Sequence, residues 1–162
     1  MVVAPTVRVA VPADAEAAVD VLRRSITVLC TADHGDDPDT LEEWLENKTV
    51  TNFLAWMERP GQYTVVAELD GTLCGVGLLG SDGEVRLCYV HPQYVRRGVG
   101  RALLDAMEAE ARERGQARLR LDATDTAIRF YEAMGFYRFG PPECGFGVTR
   151  CHPYEKLLTA SR

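Results

Sequence analysis

Residues 90–102 read Val90-His91-Pro92-Gln93-Tyr94-Val95-Arg96-Arg97-Gly98-Val99-Gly100-Arg101-Ala102, and they join a strand pattern to the start of the clearest helix in the chain. Pro92 lacks an N–H and helps end strand pairing. Gly98 and Gly100 leave room for a ligand to approach the backbone closely. The first turn of a helix has N–H groups without intrahelical partners, and the helix dipole adds partial positive charge there. With the loop amides they form an anion cradle, and Arg96, Arg97 and Arg101 add charge beside it. A pyrophosphate suits such a cradle. A dinucleotide-binding turn does not fit, because the third glycine and the ribose-binding acid are missing. A phosphate loop of the Gly-Lys-Ser/Thr kind is absent as well. Taken alone, the two glycines favour a plain turn with solvated arginines.

Reading outward, the hydrophobic period identifies the neighbouring elements. Downstream, Arg101 to Arg114 is predicted as a helix whose apolar stripe is Val99, Leu103, Ala106 and Met107, with Glu108 and Arg112 as an i,i+4 pair and Gly115 as the stop. Ala117 to Leu121 reads as a strand, Thr126 to Met134 as a helix ended by Gly135, and Phe136–Phe139 and Tyr154–Leu158 as two last strands around a Gly/Pro-rich loop. Upstream, Tyr63–Leu69 and Thr72–Leu79 flank an Asp70-Gly71 hairpin turn, and Glu84–Val90 follows the turn Ser81-Asp82-Gly83. Nearer the start, Thr6–Val11 alternates as a strand. Pro12 and Asp14 suit a helix start, and Ala15, Ala18, Val19, Leu22, Ile26 and Leu29 form one helical face. Residues 31–39 read as an acidic loop. Thr40 is expected to cap a short helix containing Leu41, Trp44 and Leu45, and Thr49–Met57 is another helical candidate. The resulting order is β-α-α-β-β-β-α-β-α-β-β, an α/β (α+β) arrangement with a mixed, mostly antiparallel seven-stranded sheet between helices.

Composition narrows the function. The 162 residues are 46% apolar and 26% charged, an ordinary mix for a single domain over 1–162. A formal charge of −6 argues against a nucleic-acid partner, which requires a cationic face. The five cysteines (Cys30, Cys74, Cys88, Cys144, Cys151) are an odd number without C-x-x-C spacing, so a disulfide scaffold and a zinc ribbon are not expected, and no metal is required. No apolar run approaches a membrane span, and the first residues lack the features of a signal peptide, so a cytoplasmic protein without a membrane partner is expected.

Two linked motifs are more specific. Leu87-Cys88-Tyr89-Val90-His91-Pro92-x2-Val95-Arg96-Arg97-Gly98-Val99-Gly100-Arg101-Ala102-Leu103-Leu104 resembles motif A of the GNAT (GCN5-related N-acetyltransferase) superfamily. Further on, Ala127-Ile128-Arg129-Phe130-Tyr131-Glu132-Ala133-Met134-Gly135-Phe136 resembles its motif B. The family's element order matches the one read from periodicity, strongly over residues 62–140. The resemblance implies the GNAT fold, acetyl-CoA as donor and a small-molecule or peptide amine as acceptor, with homodimers common among relatives. It assigns the pyrophosphate to the Val95, Arg96, Arg97, Gly98, Val99, Gly100 and Arg101 segment. It assigns the pantetheine arm and thioester carbonyl to the backbone of Cys88, Tyr89 and Val90, beside a bulge where two strands splay. Val95 stands where the family usually has Gln or Arg, and Thr124 where it often has Asn. Thr124 retains the ability to cap a helix and to bond the cofactor once.

Transfer to an amine needs loss of the ammonium proton, a fixed donor for the carbonyl oxygen and a proton for the departing thiolate. The resemblance makes Tyr131 the general acid; packing with Ala127 and Met134 is its plainer role. Glu84, at the start of a strand, is a candidate base or a solvated turn carboxylate. Asp122, beside the slot, is a base candidate or a helix cap. Asp33 and His34, in the acidic loop, are candidates for the acceptor site, or solvated loop residues. Cys88 as an acyl-carrying nucleophile is a minor variant, since a buried thiol keeps its proton. A catalytically weak acyl-CoA sensor with the same fold is the alternative to an enzyme.

Overall fold

In the computed structural model, residues 3–145 and 147–158 are described. The β-branched, alternating segments form two antiparallel sheets. One has the order β1 (Thr6–Val9), β2 (Tyr63–Leu69), β3 (Thr72–Leu79), β4 (Val85–Val90). The other has β5 (Arg118–Ala123), β8 (Arg150–Leu157) and β6 (Tyr137–Arg138), with β7 (Glu143–Cys144) also on β8. Among the described residues, eight strand segments therefore replace the seven expected, two of them only two residues long. Asp70 and Gly71 have φ of 50° and 77°, the left-handed pair that a two-residue hairpin turn demands.

Among the described residues the sheets touch at one parallel bridge, Glu84 to Arg120, where the Arg120 amide donates to the Gly83 carbonyl (3.1 Å). Beyond it β4 and β5 part. The register explains the divergence: Leu78 faces Leu87 and Leu79 faces Val85, so Arg86 is an extra, unpaired residue. A bulge of this kind bends its strand and sharpens the local twist.

The helix α5 (Val99–Glu113) crosses from β4 to β5 and buries Val99, Leu103, Leu104, Met107 and Ala111. It sits on two side-chain-free positions of β3. A Cβ on Gly75 would lie 2.6 Å from Val99 Cγ1 and 3.0 Å from Leu103 Cδ1, and one on Gly77 3.0 Å from Met107 Cε. The predicted stripe is correct except that Leu104 and Ala111 are buried and Ala106 only half-buried; Glu108 and Arg112 do pair, at 3.2 Å. On the opposite face, α1 (Ala15–Leu29) packs Ala18, Val19 and Leu22 against Val76, Leu78 and Leu87.

The least regular part of the sequence holds more helix than periodicity suggested. The presumed acidic loop contains α2 (Thr31–His34), and Asp33 and His34 are buried. Left-handed Gly35 and Asp36 turn the chain, and the Asp37 carboxylate caps α3 (Pro38–Leu45) by accepting from the Thr40 amide (3.0 Å) and hydroxyl (2.8 Å). These bonds hold the Asp37 carboxyl below its usual range. Asp37, not Thr40, is the cap. Thr49 caps α4 (Val50–Glu58) as expected. At the other end β8 starts at Arg150, four residues before the predicted start, and carries Pro153 within it opposite Asp122. The short helix α6 (Ile128–Ala133) follows a 3-10 turn at Asp125–Ala127.

Two stability predictions follow from this packing. Gly75→Ala forces a methyl into Val99 and is expected to destabilise by about 1–3 kcal/mol in urea unfolding, as overpacking does. Lys48 is buried, and its ammonium donates to Asn47 Oδ1 (2.6 Å) with no carboxylate paired to it among the described residues. Burial pushes its pKa down to about 8, from an ordinary 10.5. The charged form is thus disfavoured in the folded state, and the penalty is present below pH 8 and is relieved as pH rises toward 10.5. Lys48→Met should raise the urea midpoint at pH 7, with the gain shrinking at pH 10.

Candidate active site

The gap between β4 and β5 opens into a cleft of about 760 Å³. Its first functional feature is backbone. The His91 amide donates to Cys74 O (2.8 Å), and antiparallel pairing alternates, so Tyr89 also turns its main-chain groups toward β3. The peptide groups of Cys88 and Val90 therefore face the gap, where no strand meets them.

At the α5 end of the cleft lies the Val95–Arg101 segment. Val95 is extended, Arg96 has φ +61° and Gly98 φ +82°, and α5 begins at Val99. Left-handed residues alternating with right-handed or extended ones turn successive amides toward one concavity, an anion nest, and α5 directs its dipole at the same place. The two glycines serve different purposes. Gly98 is needed for its φ, since an added Cβ would meet only Pro5 at 4.0 Å. Gly100 is needed for packing, since its Cβ would stand 3.3 Å from Phe130. Arg96, Arg101 and Arg129 line this end, whereas Arg97 stacks over the Tyr94 ring at 5.5 Å, outside the lining. The Thr124 hydroxyl accepts from the Ala127 amide (3.3 Å), and the residue lines the cleft.

Tyr131 reaches the middle of the cleft from α6. Its ring packs edge-on against Phe130 and Phe136, and its phenol lies against the Cys88 thiol. Burial, reinforced by Cys88 and Tyr89, raises the Tyr131 pKa well above the ordinary value, and burial pushes the Cys88 thiol up to about 12. Both groups stay protonated near neutral pH. Tyr89 is also raised by burial, while a hydrogen bond with Trp44 opposes the shift.

The other candidates are placed differently. Glu84 stands at the bridge between the sheets, outside the cleft lining, with Arg86 at 3.5 Å. Burial raises its pKa, Arg86 opposes this, and Asp82 and Asp122 add to it. Asp33 does not face the acceptor space: its carboxylate accepts from the Asp125 amide (2.6 Å), the Thr126 amide (3.3 Å) and the Thr126 hydroxyl. It ties α2 to the 3-10 turn before α6. His34 is fully buried, with Nε2 bonded to Ile26 O (2.9 Å) and Nδ1 accepting from the Asp36 amide (2.9 Å), so it is no surface base. His91 uses Nδ1 to accept from the Gln93 amide (3.1 Å). His152 is buried between Asp125 and Arg138.

Sequence reasoning missed a part of the cleft lining that Ser25 and Leu29 of α1 and Cys30 at its end supply. The signal was present, since a buried Ser interrupts the apolar face of α1. It also missed the contact of Trp44 with Tyr89, from which one helix and two strands separate it along the chain. A positively ringed anion nest, a slot with free main-chain groups and a protonated phenol together suit acyl transfer from a phosphate-bearing carrier.

Comparison with known proteins agrees. The family profile "Acetyltransferase (GNAT) domain" matches residues 30–158. A GCN5-related N-acetyltransferase from Rhodopseudomonas palustris is 29% identical and superposes with a TM-score of 0.87 over 98% of this chain and 99% of that one. The PaiA N-acetyltransferase of Thermoplasma acidophilum, solved with coenzyme A, shares the fold at 21% identity and a TM-score of 0.78, over 96% of this chain and 99% of that one. An IAA acetyltransferase of Azospirillum brasilense is 33% identical over 96 residues, which span 54% of this chain and 63% of that protein. The chain belongs to the GNAT family of N-acetyltransferases, whose donor is acetyl-CoA.

Proposed function

We propose that this protein moves the acetyl group of acetyl-CoA to a primary amine by direct attack, with donor and acceptor bound together. The observation that carries the reading is the convergence of three features on one cleft: the left-handed nest at the α5 N-terminus, the unpaired Cys88 and Val90 peptide groups, and the protonated Tyr131. Acetyl-CoA supplies an activated thioester when bound. The residues fit it: the Val95–Arg101 amides with Arg96 and Arg101 would hold the pyrophosphate, and Thr124 retains a hydroxyl proton to donate. The Cys88 and Val90 peptide groups would hold the pantetheine arm and polarise the thioester carbonyl. Arg97 contributes field, not contact.

Tyr131 acts as the general acid. A phenol held protonated by burial cannot serve as the base near neutral pH, but it can give a proton to the departing sulfur. Cys88, with its pKa near 12, is a poor nucleophile at neutral pH, which favours direct attack over a covalent relay. Its thiol instead packs against the Tyr131 phenol.

Tyr131→Phe keeps the ring and removes the proton. It should lower kcat by about 10²–10⁴-fold, the range of a general acid, with little change in KM for acetyl-CoA, read by free CoA release. Cys88→Ala should retain most turnover. Saturable acetyl-CoA binding with no thiol release from any amine would instead favour the binding-only alternative.

Gly98→Ala tests the nest. A Cβ there meets open space, so the effect is backbone strain of about 1–2 kcal/mol. Calorimetric affinity for CoA should fall at least about tenfold, through a loop that no longer holds its amides together.

A further inference from the structure

The cleft is charged oppositely at its two ends. Arg96, Arg101 and Arg129 cluster at the α5 N-terminus, where an anionic carrier fits. At the other end Arg86 lines the cleft but is paired with Asp82 (3.0 Å) and Glu84. Asp122 is the one acidic residue among those lining the cleft. Alternation along β5 sends Leu119, Leu121 and Ala123 into the core under α5 and leaves Asp122 exposed on the opposite face, on the side where α1 packs on β3 and β4. There Ser25, Leu29 and Cys30 form a wall that is mostly apolar. The Asp122 carboxylate has no hydrogen bond or ion pair among the described residues, and its negative charge is felt by Glu84 and Cys151. Asp33, the other acid expected to meet an acceptor, is spent on three hydrogen bonds to the turn before α6.

From this polarity we infer that Asp122 is the specificity-determining residue of the acceptor subsite, and that the subsite takes a small alkylammonium: one positive charge held at Asp122 on a short apolar stem lying against Leu29 and Cys30. The inference rests on the acyl-transfer reading and names its acceptor class. The acceptor binds as the cation and releases its proton to water in the open cleft before the neutral amine attacks; an uncharged acceptor such as an alcohol gains nothing from Asp122, and a carboxylate-bearing one is repelled.

Binding tests it without turnover. The protein saturated with CoA, which cannot donate, is titrated at pH 7 with n-butylamine, a cation there, and with n-butanol, its neutral counterpart of similar size. The native protein should bind the ammonium at least about tenfold more tightly, as a charge-assisted contact in a cleft allows. Asp122→Asn, isosteric at a side chain with no partner to lose, should abolish the difference and leave CoA affinity and the unfolding midpoint unchanged. Equal binding of the two ligands to the native protein, or a preference that survives Asp122→Asn, overturns the inference. The outcomes separate the two readings. A charge preference without acetyl transfer to any amine keeps the subsite and removes the transfer reading. Acetyl transfer that is indifferent to Asp122→Asn keeps transfer and removes the subsite.

Discussion

An unpaired strand edge in the interior of a sheet is the constraint around which this protein is built. Main-chain N–H and C=O groups buried without partners are costly, so natural sheets close such gaps. Here closure is prevented in two ways. The extra residue Arg86 bends β4 away from β5 just past their bridge, and α5, seated on Gly75 and Gly77, fixes the path between the two strands. The peptide groups of Cys88 and Val90 are then left facing the gap without a strand partner, where the proposed function places the donor. The same crossover delivers the α5 N-terminus to the mouth of the gap, so one packing contact positions both the phosphate nest and the slot.

Burial then sets the chemistry of the slot. The cleft holds a phenol and a thiol in contact, and desolvation keeps both neutral. In the function proposed above, that environment suits Tyr131 to donate a proton and Cys88 to remain a thiol. The buried carboxylate of Asp33 works at a distance from the chemistry: it supplies acceptors to the free amides that open the 3-10 turn at Asp125. It thus links the α2 side of the cleft to the segment that carries Thr124 and leads into Tyr131. Arg138, His152 and Asp125 extend the same chain of bonds to β6 and β8.

The sequence made the central half of the protein readable because its signals are local. Strand alternation over residues 63–90, the left-handed Asp70-Gly71 turn, the α5 stripe and the two motifs each sit within a short window. What it concealed depends on contacts between distant residues. Asp33 and His34 carry every mark of a solvated loop, and only their bonds to residue 125, residue 126, Ile26 and Asp36 bury them. The last strand was expected only from Tyr154, whereas β8 starts at Arg150 and carries His152 and Pro153 within it, Pro153 opposite Asp122. Glu84 was legible as a carboxylate at a strand start, but its place at the Glu84–Arg120 bridge, outside the cleft lining, depends on which residues of the two distant strands meet. The paired roles assigned to Gly98 and Gly100 also divide in three dimensions, one answering to φ and the other to Phe130.

The most direct test is amide hydrogen exchange measured residue by residue with and without CoA. Slowed exchange at the 96–101 amides and at Cys88 and Val90, with the β1 and α3 amides unchanged, is the predicted result. Unaltered rates at those positions in a CoA-saturated sample, with protection on some other surface, would contradict the account.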